Sequence, residues 1–216
     1  MKAAIFDLDG TLVDSAPDIC SAANTVLAAQ KLQCISLDEA RRFIGAGAPA
    51  FVERMAAVRL PAPDAGRTAE MLAHFLDLYE GAVDRTRLYP GVRDALDALA
   101  HKGWRLGLCT NKPEAPARAV LRHFDLAAYF SVVVGGDTLR HRKPDPAPLD
   151  HVVAALRATA PVYIGDSETD AATAAAARVP FALFTEGYRR TPPEAMPHDH
   201  AFSDFTSLPD WLNGRR

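Results

Sequence analysis

Short, nearly continuous apolar runs recur at 3–6, 104–109, 131–134, 162–164 and 181–184. Runs this brief, without polar alternation, are the pattern of strands covered on both faces. Between the later runs the spacing changes to that of helices. Val92, Ala95, Leu96 and Leu99 mark one face of a helix over 92–102 that stops at Gly103. Ala119, Val120 and Phe124 mark the sheet-facing side of a helix over 114–124, and the alanine-dense segment 169–177 fits a helix packed closely on the same sheet. Strands alternating with helices predict an α/β core: a doubly wound, Rossmann-like parallel sheet.

The interval from residue 15 to about 87 is too long for one crossover, and it reads as helix after helix. Ile19, Ala22, Ala23, Val26 and Leu27 form one apolar stripe; Met71, Leu72, Phe75, Leu78, Tyr79 and Val83 form another, with a break at Pro61-Ala62-Pro63-Asp64. The expected organisation is a catalytic core of residues 1–14 and 88–216 carrying an inserted α-helical cap of residues 15–87. Short crossings near Asp14-Ser15 and Asp84-Arg87 would let the cap swing as a lid. The alternative is one continuous domain with a helical face.

Composition narrows the field. A chain of 216 residues, 49% of them hydrophobic, can bury a sizeable core. Its net charge of −3 gives no support for binding nucleic acid or an anionic membrane. No apolar run approaches membrane-spanning length, and Met1-Lys2 opens a stretch too short for a secretory signal. Cys20, Cys34 and Cys109 are odd in number and form no CxxC, which fits a reducing cytoplasm better than a disulfide framework. Cys109 is expected to pack within a strand.

The candidate chemistry sits where the strands end. Asp7-Leu8-Asp9-Gly10-Thr11 follows the first run, Thr110-Asn111-Lys112 the second, and Gly165-Asp166-Ser167-Glu168-Thr169-Asp170 the run at 162–164. Open parallel sheets collect ligands outside the carboxyl ends of their strands. In an extended segment residues two apart share a side, so Asp7 and Asp9 can flank one reacting group. Asp7 and Asp166 would repel each other and a phosphate dianion, which Mg²⁺, with its preference for hard oxygen ligands, would relieve. Lys143, in Arg142-Lys143-Pro144-Asp145-Pro146, adds positive charge for phosphoryl oxygens. Asp7 then reads as the nucleophile, forming an aspartyl-phosphate. Asp9 reads as the acid and base that serves the leaving group and then the hydrolytic water. Plainer roles stay open: Thr110 as a helix cap, Lys143 as a solvated loop lysine, Asp170 as a helix N-terminal acid. Asp14 and Ser15 read as caps of the first cap helix, and His198 and His200 around Asp199 as a solvated loop despite their metal-like spacing.

Taken together, DxDGT, a strand-ending Thr, a Lys before Pro and GDSxxD in this order resemble the haloacid dehalogenase superfamily of phosphotransferases. The resemblance implies that Asp7, the backbone carbonyl of Asp9 and Asp166 hold Mg²⁺, and that Thr110, the Asn111 N–H and Lys143 hold the transferring phosphoryl group. Asp170 would orient the metal shell through Ser167 or water.

Within the cap, Phe43-Ile44-Gly45-Ala46-Gly47-Ala48-Pro49 reads as a helix end, a glycine-rich turn and a new helix start. Backbone N–H groups at Gly45, Ala46 and Gly47 could bind a small anion, with Arg41, Arg42 or Arg54 assisting. The stretches GDSETDAATAAAARVPFALFTEGYRRTP, GGDTLRHRKPDPAPL and FIGAGAP resemble bacterial phosphoglycolate phosphatases. That implies Mg²⁺-dependent hydrolysis of 2-phosphoglycolate, a small anionic ester, by a monomer or homodimer. A phosphatase of another small ester or of pyrophosphate, a sugar-phosphate mutase and a non-catalytic binding module are the alternatives. A dehalogenase would not need Asp9, and a phosphonate-cleaving relative would need a cap lysine, of which Lys31 is the only one. The role of Gly187-Tyr188-Arg189 is not readable at this level.

Overall fold

The computed structural model describes residues 1–62 and 64–215; Pro63, part of the break in the helical insert, lies outside the described residues. Its centre is a six-stranded sheet, parallel throughout, built from β1 (Lys2–Phe6), β4 (Arg105–Cys109), β5 (Phe130–Val134), β6 (Ala160–Gly165), β7 (Phe181–Phe184) and β8 (His200–Phe202). The spatial order is β5-β4-β1-β6-β7-β8. The chain therefore winds outward from β1 in one direction, returns, and winds outward in the other. The reversal falls between β1 and β6, and a crevice opens there at the strand ends.

Period-two alternation along β1 sends Ala4 and Phe6 into one core layer and Ala3 and Ile5 into the other. The first layer is closed by α5 (Val92–His101), α6 (Glu114–His123) and α9 (Leu208–Gly214), the second by α7 (Ala147–Ala155) and α8 (Glu168–Ala177). Cys109 is buried in β4, as its run predicts. The inward face of α6 is Pro116, Ala117, Val120 and Leu121, whereas Ala119 and Phe124 are only partly buried. The stripe sits about one position round from the sequence reading, because 117, 120, 121 and 124 complete the helical repeat. Strand β8 and helix α9 were not anticipated. His200, expected in a solvated loop, lies in β8 with its ring stacked on Trp211 at 4.5 Å.

The helical insert holds α1 (Ala16–Ala29), α2 (Leu37–Phe43), α3 (Ala48–Arg59) and α4 (Ala65–Tyr79). It has a core of its own, in which the α1 stripe meets Phe51, Val52 and Met55 of α3 and Met71, Phe75 and Tyr79 of α4. Phe75 stacks between Phe51 at 5.2 Å and Tyr79 at 5.1 Å. Leu78, placed in the apolar stripe from sequence, is exposed instead; α4 turns only Met71, Phe75 and Tyr79 fully inward. The helix starts are explicit in sequence: a Ser36–Glu39 capping box opens α2, and Asp64 caps α4. The two crossings pair with each other as a short antiparallel ribbon of β2 (Val13–Asp14) and β3 (Arg87–Leu88). Asp18 fastens the return crossing by accepting N–H bonds from Arg85 and Thr86 and the Thr86 hydroxyl.

Candidate active site

Asp7 leaves β1 still in register, its N–H bonded to Ile164 O of β6 at 2.8 Å. A tight turn follows, with Gly10 at φ +87°. A Cβ on Gly10 would lie 2.4 Å from Asp166 Oδ2, so only glycine lets this turn approach the carboxylate. Asp166, at the end of β6, is held on both sides: Thr11 Oγ1 donates to Oδ1 and the Tyr188 N–H to Oδ2, each at 2.7 Å.

Asp170 lies one turn into α8 and closes a capping box with Ser167. Its Oδ2 accepts from Ser167 Oγ and from the N–H groups of Ser167 and Asp166, while Oδ1 accepts Lys143 Nζ at 2.6 Å and Tyr163 OH at 2.8 Å. Helix capping and site building are thus one arrangement here. Lys143 is buried and reaches 3.1 Å from Asp7 Oδ1, so it is no solvated loop residue.

Electrostatics follow from this burial. Burial, opposed by Lys143 and reinforced by Asp170, pushes Asp7 up to about 7. Burial, then Asp170 and Asp7, pushes Asp166 well above the ordinary carboxylate range. Burial works against the Lys143 ammonium, but Asp170 and Asp7 override it and hold the group above its ordinary value. Burial also disfavours the Asp170 carboxylate, and Lys143 reverses the balance so that it stays below the usual range.

Asp9 points away from this cluster. Its carboxylate accepts Ser15 Oγ at 2.6 Å and Tyr79 OH at 3.3 Å, and lies 3.2 Å from Lys112 Nζ. Ser15 therefore does not cap α1 with its side chain, as the sequence suggested; that service comes from Tyr188 OH, which accepts the N–H groups of Ser15 and Ala16. Asp14 does support the helix start, its Oδ1 meeting the Ala16 N–H at 3.3 Å. Thr110 Oγ1 accepts the Lys112 N–H, and Pro113 stands at the start of α6. Asn111 Nδ2 ties the insert to the core by donating to Gly45 O and Lys143 O.

Two chambers meet at Asp7 and Asp9. One, about 420 Å³ of empty space partly open to solvent, runs under the insert between Ile19, Ile44, Phe51 and Phe75, with Thr110, Asn111 and Lys112 opposite. The other is polar and joins Asp166, Ser167 and Glu168 to Arg54 and Arg190. Gly45 and Gly47 border the first chamber, Gly45 and Ala46 the second. Arg41 borders neither and pairs with Asp14 at 3.2 Å; Arg42 is exposed. Lys112 and Tyr188 have no assigned role in the sequence reading, which takes Ser15 as a helix cap and Tyr79 as part of an apolar stripe. Only Lys112, beside Thr110-Asn111, carried a positional hint.

The donor set fits a hard divalent cation. One oxygen each from Asp7, Asp166 and Asp170 lie within 4.8 Å of one another, and buried Asp7 Oδ1, though 3.1 Å from Lys143 Nζ, accepts no aligned hydrogen bond among the described residues. Among the described residues the carboxylates of Asp7, Asp9 and Asp170 form direct ion pairs only with the ammonium groups of Lys112 and Lys143, and Asp166 forms none. Asp170 already accepts five hydrogen bonds and Asp166 only two, one at each oxygen, so Asp7 and Asp166 have the freer lone pairs.

A parallel sheet in this order, with an acidic cluster at its switch point and a helical insert above, defines a hydrolase class. A model of haloacid dehalogenase-like hydrolases matches residues 1–178, and the chain belongs to that family. It is 49% identical over 213 residues to a phosphoglycolate phosphatase of Cereibacter sphaeroides, covering 98% of both chains. It is 45% identical to the phosphoglycolate phosphatase of Rhodospirillum rubrum, covering 98% of this chain and 90% of that one. Among solved structures, a predicted phosphoglycolate phosphatase from Haemophilus somnus superposes with a TM-score of 0.92 at 29% identity, covering 98% of this chain and 97% of that one.

Proposed function

We propose that this chain is a Mg²⁺-dependent phosphoglycolate phosphatase of the cytoplasm, hydrolysing 2-phosphoglycolate to glycolate and phosphate through a phosphorylated Asp7. The observation that carries the reading is the meeting, at Asp7 and Asp9, of a charged face, with Thr110, Asn111, Lys143 and Asp166 for the phosphoryl group and the metal, and a largely apolar chamber for a small leaving group. The 49% identity to a phosphoglycolate phosphatase over nearly the whole chain supports the choice of substrate.

In this reading Asp7 and Asp166 supply carboxylate ligands and Asp9 its backbone carbonyl to the metal, which lowers the repulsion between phosphate and carboxylates when bound. Residues 15–87 act as a cap over a core of 1–14 and 88–216. Lys143, Thr110 and the Asn111 N–H hold the phosphoryl oxygens, and Asp170 holds Lys143. Asp7 attacks phosphorus in line; the bond to the glycolate oxygen breaks as Asp9 delivers its proton there. Water then attacks the phosphorylated Asp7, Asp9 takes the proton, and phosphate and free Asp7 result. Ser15 and Tyr79 aim the Asp9 carboxylate during both transfers.

The test is a panel of phosphate esters with purified protein and Mg²⁺. 2-Phosphoglycolate should exceed hexose phosphates, nucleotides and pyrophosphate by at least about tenfold in kcat/KM, and Asp7→Asn should abolish turnover. A better turnover of hexose phosphates or pyrophosphate would overturn the substrate, and a fully active Asp7→Asn the nucleophile.

A further inference from the structure

The mechanism just set out gives Lys143 to the phosphoryl group and leaves a second buried lysine unemployed. Lys112 has a side chain only 1% exposed, yet it stands on the wall of the apolar chamber. Its ammonium lies 3.2 Å from Asp9 Oδ1, donates to Tyr79 OH, and sits 4.0 Å above the Tyr79 ring. The backbone beneath it is fixed: its N–H goes to Thr110 Oγ1 and its carbonyl accepts the Gly136 N–H. An ammonium has three protons to donate. Its acceptors among the described residues are Tyr79 OH and the two Asp9 oxygens, and the contact to Oδ2, at 3.5 Å, is long enough for an incoming acceptor to displace. Among the described residues Lys112 is also the only cation lining this chamber, whose remaining walls are mainly aliphatic or aromatic.

A buried ammonium with one weakly held proton, facing a mostly apolar space beside a reacting centre, is suited to an anion that arrives with the substrate. We propose that Lys112, flanked by Tyr79, receives the carboxylate of the leaving group and so restricts the enzyme to phosphate esters of short 2-hydroxy acids. The inference rests on the functional reading above and deepens it. Distance sets the class: Asp9 must meet the ester oxygen, and Lys112 is 3.2 Å from Asp9. The anion it takes therefore lies on the carbon next to the one bearing that oxygen, as in 2-phosphoglycolate, and not farther along the chain.

The rival cations are Arg54 and Arg190 in the polar chamber. Arg54 already donates to Phe43 O at 2.7 Å, and the side chain of Arg190 is 55% exposed near Glu168. Both face the side where Asp166 lies, away from the apolar walls that fit a leaving group.

The experiment compares kcat/KM for 2-phosphoglycolate with that for 2-hydroxyethyl phosphate, which replaces the carboxylate by a neutral alcohol. Wild-type protein should prefer 2-phosphoglycolate, and 3-phosphoglycerate should be a poor substrate. Lys112→Met should lower the preference about ten- to hundredfold, mainly through KM for 2-phosphoglycolate, beyond any loss shared by both esters. Tyr79→Phe, a milder change that keeps the ring, should lower it about threefold; Arg54→Met should leave it in place. Equal losses on both esters in Lys112→Met and Tyr79→Phe would reduce Lys112 to a support for Asp9 and overturn the inference. Collapse of the preference in Arg54→Met would overturn it in favour of the polar chamber. A wild-type enzyme indifferent to the carboxylate would instead overturn the functional reading itself.

Discussion

The phenol oxygen of Tyr188 accepts the backbone N–H of Ser15 at 2.8 Å, so the loop after β7 caps the first helix of the insert from 173 positions away in the chain. The same hydroxyl accepts the Ala16 N–H and donates to Asp14, while the Tyr188 N–H holds Asp166. One residue thus joins the acidic cluster to the point where the insert begins. Because Tyr188 does the capping, the Ser15 hydroxyl is free to hold Asp9.

This division of labour separates two substitutions. An ordinary N-cap serine costs about 1 kcal/mol when changed to alanine. Ser15→Ala should cost clearly less than that in urea unfolding, because no helix N–H loses its partner, yet turnover should fall about tenfold as Asp9 loses an orienting bond. Tyr188→Phe should do the reverse in part, costing about 1–2 kcal/mol of stability by orphaning the Ser15 N–H and leaving the Ala16 N–H only its longer bond to Asp14. A stability loss in Ser15→Ala equal to that of Tyr188→Phe would refute the assignment.

Asp170 and Lys143 form the most deeply buried ion pair in the crevice, 2.6 Å apart. Removing one partner of such a pair leaves an uncompensated charge and costs about 3–5 kcal/mol. Asp170→Asn should destabilise by that order, with a drop in turnover as Lys143 loses its anchor. Joining it with Lys143→Met should recover part of the stability but none of the activity, and a double-mutant cycle by chemical denaturation reads the coupling. Additive losses would show that the two side chains do not act as a pair.

How much of this was legible beforehand follows from which contacts are local. The buried strands and the acids at their ends were readable because period and motif lie within a few residues: β1 with Asp7 and Asp9, β6 with Asp166 and Asp170. The glycine-rich turn between α2 and α3 was readable for the same reason. Strand β8 is three residues, His200–Phe202, in a polar stretch, and it forms because β7 offers an open edge. Lys112 and Tyr79 are 33 positions apart, and each had a satisfactory local reading, the one as a strand-end residue and the other as part of an apolar stripe. Tyr188 carried no periodic signal at all. What sequence could not supply was the set of side-chain bonds that only the folded chain brings together.

The unread segment Gly187-Tyr188-Arg189 also yields a steric prediction. A Cβ on Gly187 would stand 2.3 Å from Asp166 Cβ and 2.3 Å from Gly10 O, so neither neighbour can yield without moving the acidic cluster. Gly187→Ala should destabilise by about 1–3 kcal/mol through overpacking and should raise the Mg²⁺ concentration needed for half-maximal activity several-fold. Unchanged Mg²⁺ dependence would show that the loop tolerates displacement without disturbing Asp166.

The acidic cluster makes stability without metal depend on pH in a stated direction. Burial, only partly offset by Lys143, raises Asp7 from an ordinary 3.8 to about 7, and burial raises Asp166 as well. A carboxyl whose pKa is higher folded than unfolded holds its proton longer in the folded state. Its contribution to stability is therefore fully present below about pH 4 and is lost as pH rises toward 7. Asp170, held below its usual range, contributes oppositely only at low pH. Chelator-treated protein should thus melt at a lower temperature at pH 8 than at pH 6. Added Mg²⁺ binds the ionised carboxylates and should restore more of the melting temperature at pH 8 than at pH 6. Asp166→Asn should abolish that metal-dependent gain while reducing the loss between pH 6 and 8. Equal stabilisation by Mg²⁺ at both pH values, or a gain that survives in Asp166→Asn, would place the cation away from this cluster.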